Sequence, residues 1–182
     1  MTAQLLLICA AHDGSGRFPS GRPAAARLLA GAAGLARQVP QGARVFLAPC
    51  RASADTARAA GLCGTVDPAL AEGAFGRWAG LSPQEAAARD PQALAAWLAD
   101  PALAPPGGEG LGAVTARVGA WMEEQAALGG RAAAIAPAMS LRAAILSALG
   151  GPAAMALRID VPALSLVRLT HDGRRWAWRA GS

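Results

Sequence analysis

Short apolar segments alternate with longer alanine- and leucine-rich segments along most of the chain. A short uninterrupted apolar run is typical of a strand buried on both faces of a parallel sheet. A longer apolar segment that ends at glycine or proline is typical of a helix. The pattern predicts strands at residues 5–9, 44–48 and 131–136, and helices at residues 22–38, 51–60, 111–128 and 139–149. This alternation of strands and helices predicts an α/β fold.

The end of the chain has a different pattern. Residues 163–169 and 174–179 alternate apolar and polar positions, and Asp172-Gly173 between them is a turn signal. Trp176 and Trp178 are two residues apart, so they share one face of the last strand, which predicts a packing face or an interface. The chain is therefore predicted to form a mostly parallel sheet with a C-terminal antiparallel hairpin.

Residues 70–110 interrupt the alternation with an irregular, partly helical segment. Ser82 followed by Glu85 three residues later predicts a capping box at the start of a helix. A further helix at residues 91–98 carries Trp97, which we expect in the core. No flexible linker or change in composition divides the chain. We therefore predict one domain, residues 1–182, with a helical insertion at about residues 70–110.

The charge of the chain is basic but dispersed. The net charge is +5, all 17 basic residues are arginine, and only Arg174 and Arg175 are adjacent. Aromatic residues make up 4% of the chain and form no stripe for stacking on bases, so no nucleic-acid partner is expected. The first apolar run is far shorter than the roughly 18 residues of a membrane span. We expect a cytoplasmic protein without a membrane partner.

Neither cysteine nor histidine spacing predicts a metal site. The three cysteines are Cys9, Cys50 and Cys63. They form no Cys-x-x-Cys motif and are expected to be reduced thiols. His12-Asp13 and His171-Asp172 contain metal-ligating types, but two such pairs arise easily by chance. The glycine-rich residues 108–112 follow Pro-Pro rather than a strand, against a dinucleotide-binding loop. We expect no metal and no cofactor.

Four segments, in order along the chain, resemble motifs of the histidine phosphatase superfamily, also called phosphoglycerate mutase-like. They are APCRASADTARAAGL, EGAFGRWAGLSPQEAAARDPQALAAWLAD, PPGGEGLGAVTARVGAW and IAPAMSLRAAILSALG. The end of the first strand, with its cysteine, looks similar to the alpha-ribazole phosphatase-like branch. The resemblance implies a three-layer α/β/α sandwich with a mostly parallel central sheet.

The resemblance also implies a mechanism and the positions that would carry it. In that family a histidine attacks phosphorus, two arginines and a second histidine neutralise the phosphoryl charge, and a carboxylic acid protonates the leaving oxygen. The Arg-His-Gly triplet matches residues 9–11, so Cys9 replaces an arginine and Ala10 the nucleophile. Arg142 places the second histidine at Pro137. The family's phosphohistidine route is thus predicted to be closed.

Four residues are candidates for a remaining ligand-binding pocket: His12, Arg51, Glu72 and Arg142. Arg51 matches the arginine of the second motif, and Glu72 matches the acid. His12 lies two residues beyond Ala10 and is the fallback nucleophile, although a loop histidine exposed to solvent is the simpler interpretation. Seven residues separate Cys9 from Arg17, which does not match a cysteine phosphatase loop, so Cys9 is expected to be a buried thiol.

Three functions remain open from the sequence. The first is a catalytically degenerate homologue, a pseudoenzyme that binds a small molecule, an anion or a protein partner. The second is a divergent phosphomonoester hydrolase that uses His12 or water activated by Glu72. The third is a purely structural interaction protein, and whether any of them forms a homo- or hetero-oligomer is open. The family resemblance does not decide among them, because one fold serves many functions.

Overall fold

Six strands form one mixed sheet in the computed structural model, which describes residues 1–180. The strands are β1 (Ala3–Cys9), β2 (Arg44–Leu47), β3 (Thr65–Val66), β4 (Gly130–Ala136), β5 (Leu166–His171) and β6 (Trp176–Arg179). Their order across the sheet is β3-β2-β4-β1-β5-β6. The pairs among β1 to β4 are parallel, while β5 runs antiparallel to both β1 and β6.

Helices cover both faces of this sheet. The α-helices are α1 (Ala26–Leu29), α2 (Arg51–Ala60), α3 (Pro83–Arg89), α4 (Pro91–Ala99), α5 (Leu111–Leu128) and α6 (Ala138–Leu149). Short 3₁₀ helices span Ala30–Gln38, Pro68–Leu70, Gly76–Trp78 and Ala153–Arg158. Within residues 1–180, no helix has both the length and the apolar character needed to cross a membrane.

The position of β1 inside the sheet explains its apolar sequence. Leu5, Leu7 and Cys9 of β1 pack with α5 and α6 on one face, whereas Leu6 and Ile8 pack with α2 and the 3₁₀ helix Ala30–Gln38 on the other. A strand buried on both faces needs no polar positions. The predicted three-layer arrangement, mostly parallel sheet and antiparallel C-terminal hairpin are therefore confirmed.

The prediction of one helix over residues 22–38 was wrong in its start and its type. Only Ala26–Leu29 is α-helical, and the chain then continues as a 3₁₀ helix to Gln38. Gly31 and Gly34 lower the α-helical propensity of this segment. A Cβ at Gly31 would also lie 3.0 Å from a methyl of Leu164. Residues 22–25 consequently belong to the loop that follows β1.

Strand β3 was missed because two residues are too short to form a pattern. The capping box was predicted correctly, since Ser82 accepts a hydrogen bond from the Glu85 N–H and the Glu85 carboxylate accepts one from the Ser82 N–H. Trp176 is 7% exposed, but Trp178 on the same strand face is 56% exposed. Sequence spacing thus predicts a shared face but not where the covering helix ends.

The helical insertion packs on the loop after β1 through an aromatic cluster of Phe18, Phe75, Trp78 and Trp97. The Phe18 N–H donates to the Leu81 carbonyl, and the Gly80 N–H donates to the Phe18 carbonyl. Gly76 has a φ of +51°, and a Cβ there would collide with the Pro106 carbonyl. These contacts hold the insertion and the loop together as the two walls of a cavity.

Candidate functional site

A cavity of about 600 Å³ lies at the carboxyl ends of β1 and β4. The loop of residues 12–22 and the insertion segment of residues 71–79 form its walls, and the start of α2 borders it. In open α/β sheets, ligands bind outside the carboxyl ends of the strands. Position and volume therefore make this cavity the candidate functional site, with a size in the range of small-molecule pockets.

The floor of this cavity is formed by two side chains that can neither attack a ligand nor hydrogen-bond to it. Cys9 of β1 pairs in parallel register with Ala136 of β4, and the Ala10 N–H donates to the Ala136 carbonyl at 2.9 Å. The next residues of the two strands, Ala10 and Pro137, therefore come to the same place, and both line the cavity. A methyl group and a pyrrolidine ring supply neither a lone pair nor a hydrogen-bond donor there.

The thiol of Cys9 borders the floor but is protonated at neutral pH. Cys9 is 2% exposed, and its Sγ lies 3.6 Å from the Ala10 carbonyl oxygen and 3.8 Å from that of Val161. Burial raises the pKa of this thiol to about 12, against a smaller lowering by Arg142. Since the thiolate is the nucleophile, Cys9 acts here as a small buried side chain, as predicted.

His12 lines the cavity but lies exposed on the loop. Its Nδ1 accepts a hydrogen bond of 2.9 Å from the Gly14 N–H. The neutral ring therefore carries its proton on Nε2. In this arrangement one nitrogen is occupied as an acceptor and the other is a donor, so the ring is set to bind an acceptor group rather than to attack phosphorus.

The local structure around His12 recurs at the hairpin tip. His171 Nδ1 accepts from the Gly173 N–H at 3.2 Å, as His12 Nδ1 does from Gly14. Asp13 and Asp172 each accept the N–H two residues on. The repeated His-Asp-Gly sequence is thus a local turn motif. Within residues 1–180 no three His, Cys, Asp or Glu side chains come together as a metal site.

Glu72 lines the cavity on the side of the insertion segment. Burial raises the pKa of its carboxyl group to about 7, and the positive charge of Arg142 lowers it by a smaller amount. A carboxyl group with a pKa near 7 exchanges a proton readily at neutral pH and, when protonated, donates a hydrogen bond. Glu72 therefore borders the cavity, and its role as an acid there stays a prediction.

Arg142 lies behind the cavity rather than in its wall. Its Nε donates to the Ile159 carbonyl at 2.8 Å, and residue 142 does not border the cavity. Its charge still reaches the cavity, because it lowers the pKa of both Cys9 and Glu72. Direct ligand contact by Arg142 stays a prediction that this position does not favour.

Arg51 is placed differently from its prediction. It is the first residue of α2, its side chain is 66% exposed, and its Nε lies 3.8 Å from Asp55. The neighbouring Ala52 lines the cavity instead. Successive residues on an α-helix are rotated by about 100°, so the side chains of Arg51 and Ala52 face different directions. The structure corrects the expectation that the Arg51 guanidinium lies in the pocket.

Two arginines that were not among the predicted site residues border the cavity, Arg17 and Arg22. Both lie on the loop after β1, where residues 22–25 were predicted to be helical. Arg17 is paired with Glu85 and also donates to the Gly80 carbonyl at 3.0 Å. A glycine-rich loop directly after a buried strand was the signal that could have identified this region.

Thr56 was also missed as the residue that fixes the cavity floor. This buried side chain accepts the Ala11 N–H at 2.9 Å and donates to the Ala52 carbonyl at 2.8 Å. It therefore joins the end of β1 to α2. The Thr-Ala pair quoted in the second motif contained this signal, but its structural role depends on a contact across 45 residues.

The sequence matches a known protein family over most of its length. The family model of the histidine phosphatase superfamily (branch 1) matches residues 21–181. The chain belongs to the histidine phosphatase superfamily. A bifunctional protein of Mycobacterium tuberculosis is 44% identical over 80 residues, which cover 42% of this chain and 22% of that relative. The match thus spans less than a quarter of that relative's length.

Two solved structures share the fold of this superfamily member. A mycobacterial glucosyl-3-phosphoglycerate phosphatase has a TM-score of 0.81 at 22% identity, covering 98% of this chain and 97% of the other. An Escherichia coli protein proposed to be an alpha-ribazole-5'-P phosphatase has a TM-score of 0.81 at 20% identity, covering 98% and 94%. At these identities the likeness establishes the fold alone.

Proposed function

We propose that this histidine phosphatase superfamily member binds a small organic molecule in the cavity at the ends of β1 and β4 and does not form a phosphohistidine. The observation that carries the proposal is the cavity floor, where Ala10 and Pro137 meet. The family's nucleophile and second histidine are assigned to these two positions by the motif register. A nitrogen lone pair is needed to attack phosphorus, and neither side chain has one.

The neighbouring groups support the same proposal. Cys9 would have to ionise against a pKa of about 12 before it could attack. The Gly14 N–H occupies the Nδ1 of His12, which leaves Nε2 as a hydrogen-bond donor in the neutral ring. Each missing catalytic group is worth roughly two to four powers of ten in rate. The loss of several together leaves binding as the function that the cavity supports best.

The lining of the cavity supports a ligand with an apolar body and little charge. Alanine, proline and other apolar side chains form most of the wall, with Phe75 and Val161 the bulkiest among them. Arg17 is already paired with Glu85, which leaves Arg22 as the guanidinium at the rim without such an ion pair within residues 1–180. Glu72 and the His12 ring can bind one polar group of the ligand through hydrogen bonds.

A second candidate is a divergent phosphomonoester hydrolase that works without a phosphohistidine. Glu72, with a pKa of about 7, and His12 line the same cavity, which favours acid–base activation of water. A purely structural interaction protein is favoured less, since it predicts a cavity filled by side chains around Pro137. An open volume of about 600 Å³ remains there.

Turnover of p-nitrophenyl phosphate separates binding from hydrolysis. We expect no turnover by the wild-type protein above the buffer rate. Turnover by the wild type that is lost in both His12→Ala and Glu72→Gln would replace the binding proposal with the hydrolase proposal. Circular dichroism of each variant verifies that its fold is unchanged.

Fluorescence of an apolar anionic dye, 8-anilinonaphthalene sulfonate, tests binding directly. We expect saturable binding by the wild type and a loss of at least tenfold in affinity in Ala138→Trp, whose ring would fill the cavity. Ala138 lines the cavity, whereas Ala87 is an exposed residue of α3. Ala87→Trp is thus the matched control and should bind the dye as the wild type does. Equal binding by all three proteins would contradict a site in this cavity.

A further inference from the structure

A second, smaller cavity lies on the sheet itself, away from the carboxyl ends of the parallel strands β1 and β4. It has a volume of about 240 Å³ and is bordered by Gln4, Gln38, Arg168 and Arg179 among others. None of its lining residues borders the large cavity. The two cavities are therefore separate sites, and binding at one does not require binding at the other.

Two arginines meet directly at this cavity. Arg168 of β5 is the antiparallel register partner of Arg179 of β6, and both line the cavity. Side chains at directly opposed positions of an antiparallel pair have Cβ atoms about 5 Å apart and share one face of the sheet. Like charges in that arrangement repel each other and destabilise the sheet. Something must compensate these charges or the arrangement costs stability.

No carboxylate within residues 1–180 compensates them. The ion pairs among the described residues involve other arginines, and neither Arg168 nor Arg179 lies within 4.0 Å of an Asp or Glu oxygen there. Arg168 Nη2 donates to Gln38 Oε1 at 2.9 Å. This bond satisfies one N–H but brings no negative charge. Among the side chains of residues 1–180, the excess positive charge at the cavity is therefore uncompensated.

The neighbouring positions on the same sheet face add hydrogen-bond donors and no negatively charged side chain. Gln4 of β1 is the register partner of both Arg131 and Thr170. Arg131 adds a third guanidinium to this face, and its Nη1 donates to the Gln41 carbonyl at 3.3 Å. With its Oε1 occupied by Arg168, Gln38 offers its amide N–H groups. The face thus combines a fixed positive charge with neutral donors.

We propose that Arg168 and Arg179 form a binding site for a phosphate-type oxyanion, either free or as the end of a small phosphorylated molecule. The planar guanidinium fork matches the oxygens of a phosphate group bidentately. A bound dianion neutralises both guanidinium groups and removes their repulsion. The cavity volume of about 240 Å³ accommodates a phosphate group and a small remainder, but not a drug-sized ligand.

Isothermal titration with inorganic phosphate and with glycerol 3-phosphate, at low salt, tests this site. We expect saturable binding of at least one of them by the wild type, and a loss of at least tenfold in affinity in both Arg168→Gln and Arg179→Gln. Tighter binding of the ester indicates a phosphorylated metabolite, and tighter binding of inorganic phosphate indicates the free ion; either supports the site. Absence of saturable binding of both overturns it.

Arg89→Gln is the matched control, because it removes one positive charge from an exposed residue at the end of α3, away from this cavity. It should bind phosphate as the wild type does. An equal loss in Arg89→Gln would mean diffuse attraction by a basic protein and would overturn the site. Ala138→Trp should also keep phosphate binding, which separates failure at this site from failure at the large cavity.

Thermal unfolding gives a second readout that a purely structural arginine pair would not produce. Arg179→Glu replaces repulsion with a cross-strand ion pair, so its unfolding midpoint in anion-free buffer should exceed that of the wild type. Added phosphate should raise the midpoint of the wild type but not that of Arg179→Glu. A lower midpoint in the variant, or an equal rise with phosphate in both proteins, would overturn the proposal.

Discussion

The two cavities of this protein differ in where their charges lie. The large cavity occupies the place at the strand ends where its fold family puts catalysis, yet its floor is Ala10 and Pro137. The small cavity occupies an open part of the sheet face and has two opposed arginines without carboxylate partners in the described chain. The fold therefore determines where cavities form, and individual side chains determine what each cavity can bind.

The largest expected effect concerns the thiol beneath the apolar cavity. With a pKa of about 12, Cys9 at pH 8 is ionised to only roughly one part in ten thousand. Iodoacetamide should therefore modify the exposed Cys63 while leaving Cys9 unmodified, as measured by peptide mass spectrometry of the folded protein. If Cys9 were modified as fast as Cys63, the floor of the large cavity would be polar and solvated. The large cavity would then not be the apolar one of the two.

The next effect concerns Glu72 and the pH dependence of stability. Its pKa is raised from 4.5 unfolded to about 7 folded, so its neutral form is stabilised by the fold. Its contribution is present below pH 4.5 and is lost as the pH rises through 7, by on the order of 3 kcal/mol. Glu72→Gln should remove this part of the pH dependence and be more stable than the wild type at pH 8.

Urea unfolding of the wild type and Glu72→Gln at pH 5 and pH 8 measures this difference. Glu124→Gln, on the exposed part of α5, is the control and should follow the wild type at both pH values. If Glu72→Gln and the wild type lose the same stability between the two pH values, the Glu72 carboxyl group is solvated, and the apolar character of the large cavity is disproved.

A smaller effect is expected for the hydrogen bonds that fix the floor of the large cavity. Thr56→Val keeps the side-chain shape but leaves the buried Ala11 N–H without its acceptor, which should cost about 2 kcal/mol of unfolding free energy. Thr115 has a buried hydroxyl without a hydrogen-bond partner among residues 1–180, so Thr115→Val should be neutral or slightly stabilising. Urea unfolding compares the two variants, and equal losses would count against an anchoring role of Thr56.

The smallest effect is expected at Arg51. Because this side chain is largely exposed and its ion pair with Asp55 is weak, Arg51→Ala should change the unfolding free energy by less than about 0.5 kcal/mol. Dye binding in the large cavity should stay unchanged in this variant. A tenfold loss of dye affinity would mean that Arg51 contacts the ligand. The large cavity would then also contain a positive charge, and the two cavities would differ less.

Local sequence signals predicted the elements of the fold well. The apolar run of β1, the glycine after α2 and the Ser82–Glu85 box each act over a few residues, and the structure contains all three features. The segment after β1 was harder, because glycines and contacts with Leu164 shorten the predicted helix. Its loop conformation depends on tertiary packing that no window of sequence contains.

The candidate site was predicted in part. Ala10, Pro137 and Glu72 were placed by motif register and His12 by its nearness to Ala10, and all four border the large cavity. The motif register placed Arg51 at the pocket, but its side chain turns outward beside Asp55, and a motif does not determine that conformation. The small cavity could not be predicted, because the pairing of Arg168 with Arg179 and their closeness to Gln38 arise only when β5, β6 and the 3₁₀ helix assemble.

Detection of phosphohistidine on the intact protein tests the central claim most directly. The protein is incubated with a phosphoryl donor such as p-nitrophenyl phosphate, quenched in base, where phosphohistidine survives, and measured by intact-protein mass spectrometry. Because Ala10 and Pro137 form the floor and His12 holds the Gly14 N–H, we predict an unmodified chain and no release of p-nitrophenol. A phosphorylated His12, absent from His12→Ala, would contradict the account.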